Sequence, residues 1–365
     1  MILHTYFARR FLMSFFGLGG IMFCLIFLVD MIEQTRRYAK FDLSMGQIVG
    51  LTVLEVPSSI NQILPLIVII ATVALFVALA RSSELVVTRA AGRSALRALI
   101  APSVMAFLIG AIAVSMLGPL VAATSKRHAA LSESYRSGGA SALAFSEDGL
   151  WLRQGDENGQ TVIRAGRSNP DASVLFSVTF VMFGPDGAPT QRIEAEEASL
   201  QPQGWVLSRA KQWSLQDTQI PEVDATEEDT LVVPSSLTVD RIRENLGRPS
   251  SVSIWDMQSF IAQLELSGFS SRAHRVWYQS ELARPLFLTA MVLVAASFTM
   301  RHTRFGGTGI AVLAAVLLGF GLYFIRSFAQ ILGENGQIPI LLAAWAPPFA
   351  ALFLALGLLL HAEDG

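Results

Sequence analysis

Residues 56–80 read VPSSINQILPLIVIIATVALFVALA, and residues 81–94, which follow, read RSSELVVTRAAGRS. The first stretch runs 25 residues without a charge. A helix rising 1.5 Å per residue crosses about 30 Å of hydrocarbon in about 20 residues. The stretch therefore predicts a membrane-crossing helix, and the arginine-rich segment after it predicts a return at the membrane surface. Working outward, five more charge-free stretches occur at 11–29, 98–125, 285–300, 305–325 and 335–360. The stretch at 285–300 is the shortest, but Trp277 and Tyr278 precede it as interfacial aromatics. Glu281 and Arg284, three apart on a helix, are expected to pair at the membrane edge. The count is six spans, three before a long polar insert and three after it. Stretch 11–29 is longer than the apolar core of a signal peptide and no small-residue cleavage site follows it, so it reads as a retained helix.

The composition agrees. Of 365 residues 52% are hydrophobic and only 15% charged, against about 25% charged in an average soluble domain, and the mean hydropathy is +0.48. This excludes a disordered chain and disfavours an ordinary cytosolic enzyme. A net charge of −2 offers no global attraction to nucleic acid. The single cysteine, Cys24, excludes an intramolecular disulfide framework and a cysteine-based zinc site. The charges are unevenly placed: residues 124–283 carry 21 acids and 14 bases, and the other 205 residues carry 8 acids and 13 bases. With the N-terminus inside, the inner segments hold Arg9, Arg10, Arg81, Arg89, Arg93, Arg97, Arg301 and Arg304, whereas the outer short segments hold Arg36, Arg37, Lys40 and Arg326. Eight against four predicts both termini inside and the 124–283 insert outside the cytoplasm.

Within the insert, residues 149–153 and 161–164 flank Asp156-Glu-Asn-Gly159, whose Asn-Gly is a strong hairpin signal. Residues 173–183 form a β-branched and aromatic run ending at Gly184-Pro-Asp-Gly187, and Gly204-Trp-Val-Leu207 resumes after Gln201-Pro-Gln. Short strands and turns at this spacing suggest a sandwich or jelly roll of unresolved strand order, with imperfect inside–outside alternation. Residues 253–266 then read as a linker helix, with Ser253 and Asp256 as its capping pattern and Ile254, Met257, Phe260, Ile261 and Leu264 as its apolar stripe.

Chemistry is sparse. None of the three lysines, at 40, 126 and 211, follows a glycine, so there is no Walker A loop. No His-Glu zincin pair and no G-x-S-x-G elbow occurs, and no acid lies deep inside a predicted span. Two features remain. On the inner loop, Ser82 or Ser83 can cap a short helix over about 82–92, Glu84 suits its positive end and Gly92 can close it. That loop is either a surface turn carrying positive-inside arginines or a docking helix that grips a soluble partner. The second feature is Arg36, Arg37 and Lys40 just past span one, with Arg326 ending span five on the same side. These cations either sit solvated at the headgroups or form a site for a phosphorylated lipid, because guanidinium forks suit phosphate.

Taken together, residues 81–93 (RSSELVVTRAAGR), the preceding Val56-Pro57 and Leu64-Pro65, Ile338-Pro339 and the three-plus-three arrangement resemble the LptF/LptG permease family along essentially the whole chain. Gly149-Leu-Trp151 resembles the LptG branch more than the LptF branch. The resemblance implies a polytopic α-helical membrane protein of six transmembrane helices with an inserted periplasmic β-jelly-roll-like domain. The implied divisions are 1–123 for spans one to three, 124–280 for the insert and 281–365 for spans four to six. It further implies an inner-membrane permease of lipopolysaccharide export, not itself an enzyme and without a cofactor of its own. ATP and magnesium would be bound by a separate LptB-type ATPase dimer, and an LptF-type permease, LptC and a periplasmic LptA bridge would be further partners. By resemblance the inner loop is the coupling helix, with Glu84 as its key residue beside Leu85, Val86, Thr88, Arg89 and Gly92. Arg36, Arg37, Lys40 and Arg326 fall to the lipid, although Phe27 stands where some members place a lysine. The alternatives are an LptF-type subunit, a permease of another ABC exporter, or a membrane sensor with an outer ligand-binding domain. The sensor lacks an inner output domain, since only short loops and the tail 361–365 face that side.

Overall fold

The computed structural model describes residues 2–41, 43–82, 84, 95–137, 142–146, 149–156, 159–169, 173–184, 187–215, 225–235, 249–266, 270–300 and 308–364. They divide into two units. One comprises Met1–His128, Ser253–Trp255 and Arg272–Gly365; the other comprises Ala129–Val252 and Asp256–Ser271.

The first unit is helical. Helix α1 (Ile2–Arg37) is followed by α2 (Met45–Arg81). A capping box starts α2: the Gln47 N–H donates to the Ser44 hydroxyl, and the Gln47 side chain accepts the Ser44 N–H at 2.8 Å. Helix α3 (Ala95–Ile112) continues through a π-helical turn (Ala113–Leu117) into α4 (Gly118–Ser137). After the second unit come α6 (Arg272–Leu282), α7 (Arg284–Thr299), α8 (Thr308–Glu334) and α9 (Ile340–Asp364). Five helical segments are long and apolar enough to cross a membrane, and a sixth span results when α6 and α7, bent by 50°, are counted as one. The bend falls at the start of the charge-free stretch 285–300. Pro285 has no N–H to give and its ring displaces the Glu281 carbonyl, so the helix breaks there and restarts with Pro285 in the first turn of α7. Counted as one span, α6 and α7 place Glu281 and Arg284 at its bend.

Helix α7 is the centre of the unit and packs against α2, α3, α8 and α9. Phe287, Leu288, Met291, Val292 and Val294 are all fully buried, which accounts for an apolar run with no polar face. Backbones approach closely where side chains are absent. A Cβ added to Gly110 on α3 would lie 2.6 Å from the Cα of Pro285. Helix α1, by contrast, packs chiefly on α2 and α3, through Phe7, Phe11 and Phe15.

The second unit is an antiparallel sheet with one helix on it. Strands β1 (Ala142–Ser146), β2 (Gly149–Asp156), β3 (Gly159–Ser168), β4 (Val174–Phe183), β5 (Pro189–Gln201), β6 (Gly204–Ser214) and β7 (Thr226–Val233) pair in sequential order. Every strand joins its chain neighbour, so the described strands form a meander without the crossovers of a Greek-key jelly roll. The hairpin expected at Asn-Gly forms, with Asp156 opposite Gly159; residues 157 and 158 lie outside the described residues. At the β5–β6 return Gly204 takes φ +131°, which a side chain would not tolerate. The imperfect alternation has a cause. Ser177 and Arg209 adopt φ of 53° and 51°, and the buried positions step by three instead of two across them, from Leu175 to Val178 and from Leu207 to Ala210. Strand β5, between them, makes the same step from Ala195 to Ala198. Trp205, fully buried, meets Phe180 edge-on at 6.3 Å. Helix α5 (Met257–Leu266) adds Leu264 and Phe260 to this core. It starts later than the expected 253, because the Ser253 hydroxyl instead accepts the Trp255 N–H at 3.3 Å in the preceding turn.

Substituting Gly110→Ala should lower the thermal midpoint of the purified protein, with a loss of about 1–3 kcal/mol from overpacking against the Pro285 backbone. Gly50→Ala on α2, where nothing lies within 4 Å, should leave the midpoint unchanged or slightly raised. Parallel thermal unfolding of the two variants in detergent checks both expectations.

Candidate functional site

Glu84, just past the end of α2, gathers donors from both α1 and α2. Arg10, near the start of α1, donates from Nη1 to Glu84 Oε1 at 2.7 Å and to Oε2 at 2.8 Å. The Tyr6 hydroxyl donates to Oε2 at 2.8 Å, and the Ser82 hydroxyl donates to Oε1 at 2.8 Å. Arg10 Nη1 also reaches the Tyr6 oxygen at 2.7 Å, with its guanidinium 5.5 Å from the ring centroid. Tyr6 and Arg10 meet the same carboxylate because they lie four apart on one helix. Partial burial pulls the Glu84 carboxyl upward, but the hydrogen bonds from Arg10, Tyr6 and Ser82 outweigh it and hold the group below the usual carboxylate range. Of the expected coupling residues, Leu85, Val86, Thr88, Arg89 and Gly92 lie outside the described residues. Sequence reasoning missed Tyr6 altogether and took Arg10 only as an orientation charge. The available signal was a Tyr-Arg pair at i, i+4, at the same membrane level as the end of the second span.

At the opposite end of α1, Arg36, Arg37 and Lys40 are exposed on its last turn and the turn after it. Cations at this terminus complement the helix dipole. Arg37 lies 3.7 Å from Glu33, one turn earlier. Just below them the end of α1 is tied to its neighbours. The Ser59 hydroxyl on α2 donates to Asp30 at 3.0 Å, and Gln34 meets His128 on α4 at 3.3 Å. His128 in turn lies 3.6 Å from Glu55 on α2. The structure does not bring Arg326 to this group. It is buried on α8, 9% exposed, where Nη2 donates to the Ser280 carbonyl at 3.3 Å and the guanidinium lies 5.2 Å from the Phe287 ring centroid. Helix α8 packs on α2, α6, α7 and α9, whereas α1 packs on α2 and α3. Among the described residues no group of three or more His, Cys, Asp or Glu could hold a metal ion.

The profile of the family described as "Lipopolysaccharide export system permease LptF/LptG" matches residues 5–361. The chain belongs to the LptF/LptG family. It is similar to the lipopolysaccharide export system permease protein LptG of Escherichia coli (strain K12), 23% identical over 340 residues that cover 91% of this chain and 90% of that protein. It is likewise similar to the protein of that name from Haemophilus influenzae, 23% identical over 359 residues, 97% and 94% of the two chains. Its family is thus one of transport permeases for lipopolysaccharide.

In this LptF/LptG-family permease a polar clasp lies at the break in the fourth span. Arg284 donates to the Glu281 carboxylate across the bend and to the Asn61 side chain on α2. Glu281 is 3% and Arg284 6% exposed. Arg326 donates to the Ser280 carbonyl, at the negative end of α6. The expected Glu281–Arg284 pair forms and is buried among the helices, where an uncompensated charge is costly. Glu281→Leu alone should destabilise the protein by about 3–5 kcal/mol, since it strands Arg284. Adding Arg284→Leu in the same chain should recover most of that loss. Thermal or denaturant unfolding of the single and double variants measures the difference, and equal losses would count against a buried pair.

Proposed function

We propose that this chain is the LptG-type permease subunit of an ABC transporter that takes lipopolysaccharide from the inner membrane and passes it to a periplasmic bridge. The observation that carries the proposal is one continuous helix, α1, with phosphate-matching cations at one end and the Glu84 contact at the other. A lipid with phosphates at the surface and acyl chains below calls for cations above apolar helix faces. Arg36, Arg37 and Lys40 stand above the exposed Phe16, Leu25, Leu28 and Ile32 of α1. Withdrawing acyl chains from a bilayer costs about 0.8 kcal/mol per CH₂, so export needs an energy source. The sequence has no Walker A loop, and a separate LptB-type ATPase dimer, with its ATP and magnesium, would supply that energy through residues 82–92. Glu84 would be the main contact there, with Leu85, Val86, Thr88, Arg89 and Gly92 beside it. An LptF-type permease would complete the lipid cavity, and LptC with an LptA bridge would receive the lipid from the sheet unit. In this reading both termini are cytoplasmic and residues 124–283 periplasmic.

Identifying the proteins and lipid that co-purify with the chain in mild detergent, by mass spectrometry, tests the assignment directly. An ATPase and a lipopolysaccharide are expected; a soluble ligand bound without either would favour a sensor. Glu84→Ala should weaken ATPase retention or lipid release by about tenfold, equivalent to about 1.4 kcal/mol at the contact, while membrane insertion is unchanged. Neutralising Arg36, Arg37 and Lys40 together should remove about 1 kcal/mol of anionic attraction per cation. Photocrosslinking of lipid from position 32 should fall accordingly, and an equal yield before and after would sink the lipid site.

A further inference from the structure

Glu84 begins the segment read above as the coupling contact, yet in the folded chain its carboxylate is held by α1. Two donors from that helix reach it, the Arg10 guanidinium and the Tyr6 hydroxyl, at 2.7–2.8 Å. Ser82 supplies a donor from the end of α2 itself. The Arg10 and Glu84 side chains are each 34% exposed, so the contact is neither sealed in the core nor fully solvated. Arg10 also clasps Tyr6, so the two α1 donors are fixed relative to each other before they meet the acid. Helix α1 is unbroken over its 36 residues, Ile2–Arg37. At 1.5 Å per residue, about 40 Å of helix separates Arg10 from Arg36. The outer end is again held by side-chain ties, Asp30 to Ser59 and Gln34 to His128. A hydrogen-bonded helix is stiff over such a length, so a displacement of the 82–84 segment that carries Glu84 must also displace the N-terminal turns of α1.

We propose that Tyr6 and Arg10 are positioning residues for lipid export: they latch the first helix to the coupling segment, so that motion imposed at Glu84 is delivered along α1 to Arg36, Arg37 and Lys40. The latch rests on the export reading for its purpose, but its existence can be tested without it.

Two measurements separate these points. In the purified chain with Cys24→Ser, a spin label at exposed position 81 should gain mobility in Arg10→Leu and in Tyr6→Phe, with Arg10→Lys restoring most of the order. Unchanged mobility in both variants overturns the latch. In the assembled complex, reconstituted in proteoliposomes with lipopolysaccharide and ATP, Arg10→Leu should keep ATPase association and hydrolysis near wild type. Lipid released per ATP should fall at least about fivefold, the lower end of usual coupling strengths, and Arg10→Lys should recover part of it. A purely structural role would lower hydrolysis, association and release together, and that result overturns the proposal, as does release per ATP equal to wild type. A wild-type complex that releases no lipid overturns the export reading itself, and the label at position 81 then decides the latch alone.

Discussion

Hydrocarbon offers no partner to a backbone N–H or C=O, so each crossing must satisfy its own backbone within a helix. That constraint explains why the apolar stretches became helices and why the 50° break between α6 and α7 is so heavily furnished. At the bend between α6 and α7 the helical ladder fails, because Pro285 cannot donate. The Ser280 carbonyl, close to that break, accepts from Arg326, whose guanidinium lies over the Phe287 ring. Asn61 and Glu281 together hold Arg284. Gly110 lets α3 approach the broken backbone directly. Three other helices thus converge on a single break, and the central position of α7 follows from it.

The two ends of α1 obey a different logic. Their charges remain partly exposed and are held by pairs and hydrogen bonds instead of burial. Exposed ion pairs contribute little to stability. The Glu281–Arg284 clasp is the opposite case, deep and closed, and fits a fixed joint. The helical unit therefore combines a rigid interior around α7 with a long peripheral helix anchored by polar contacts at its ends.

Much of this was legible before the structure. Charge-free length marked the crossings, and turn residues marked the strands, since both signals are local. Alternation in the insert read poorly for an equally local reason, the positive φ at Ser177 and Arg209, which no residue type announces. Arg326 was grouped with the outer cations because sequence distance from the span end was the only gauge of depth. Its burial against Phe287 depends on the bend in another helix. Tyr6 escaped notice because a tyrosine near the start of an apolar helix has an adequate interfacial reading.

What the sequence by itself determined was the set of elements, the six apolar lengths, the strand-rich insert and the family, because each rests on residue type and spacing along the chain. Tertiary structure alone decided which polar side chains meet. Arg10 reaches Glu84 across 74 positions and Arg284 reaches Asn61 across 223. Such partnerships arise from the packing of α1, α2 and α7, and packing is set by the shapes of whole faces instead of by any local pattern.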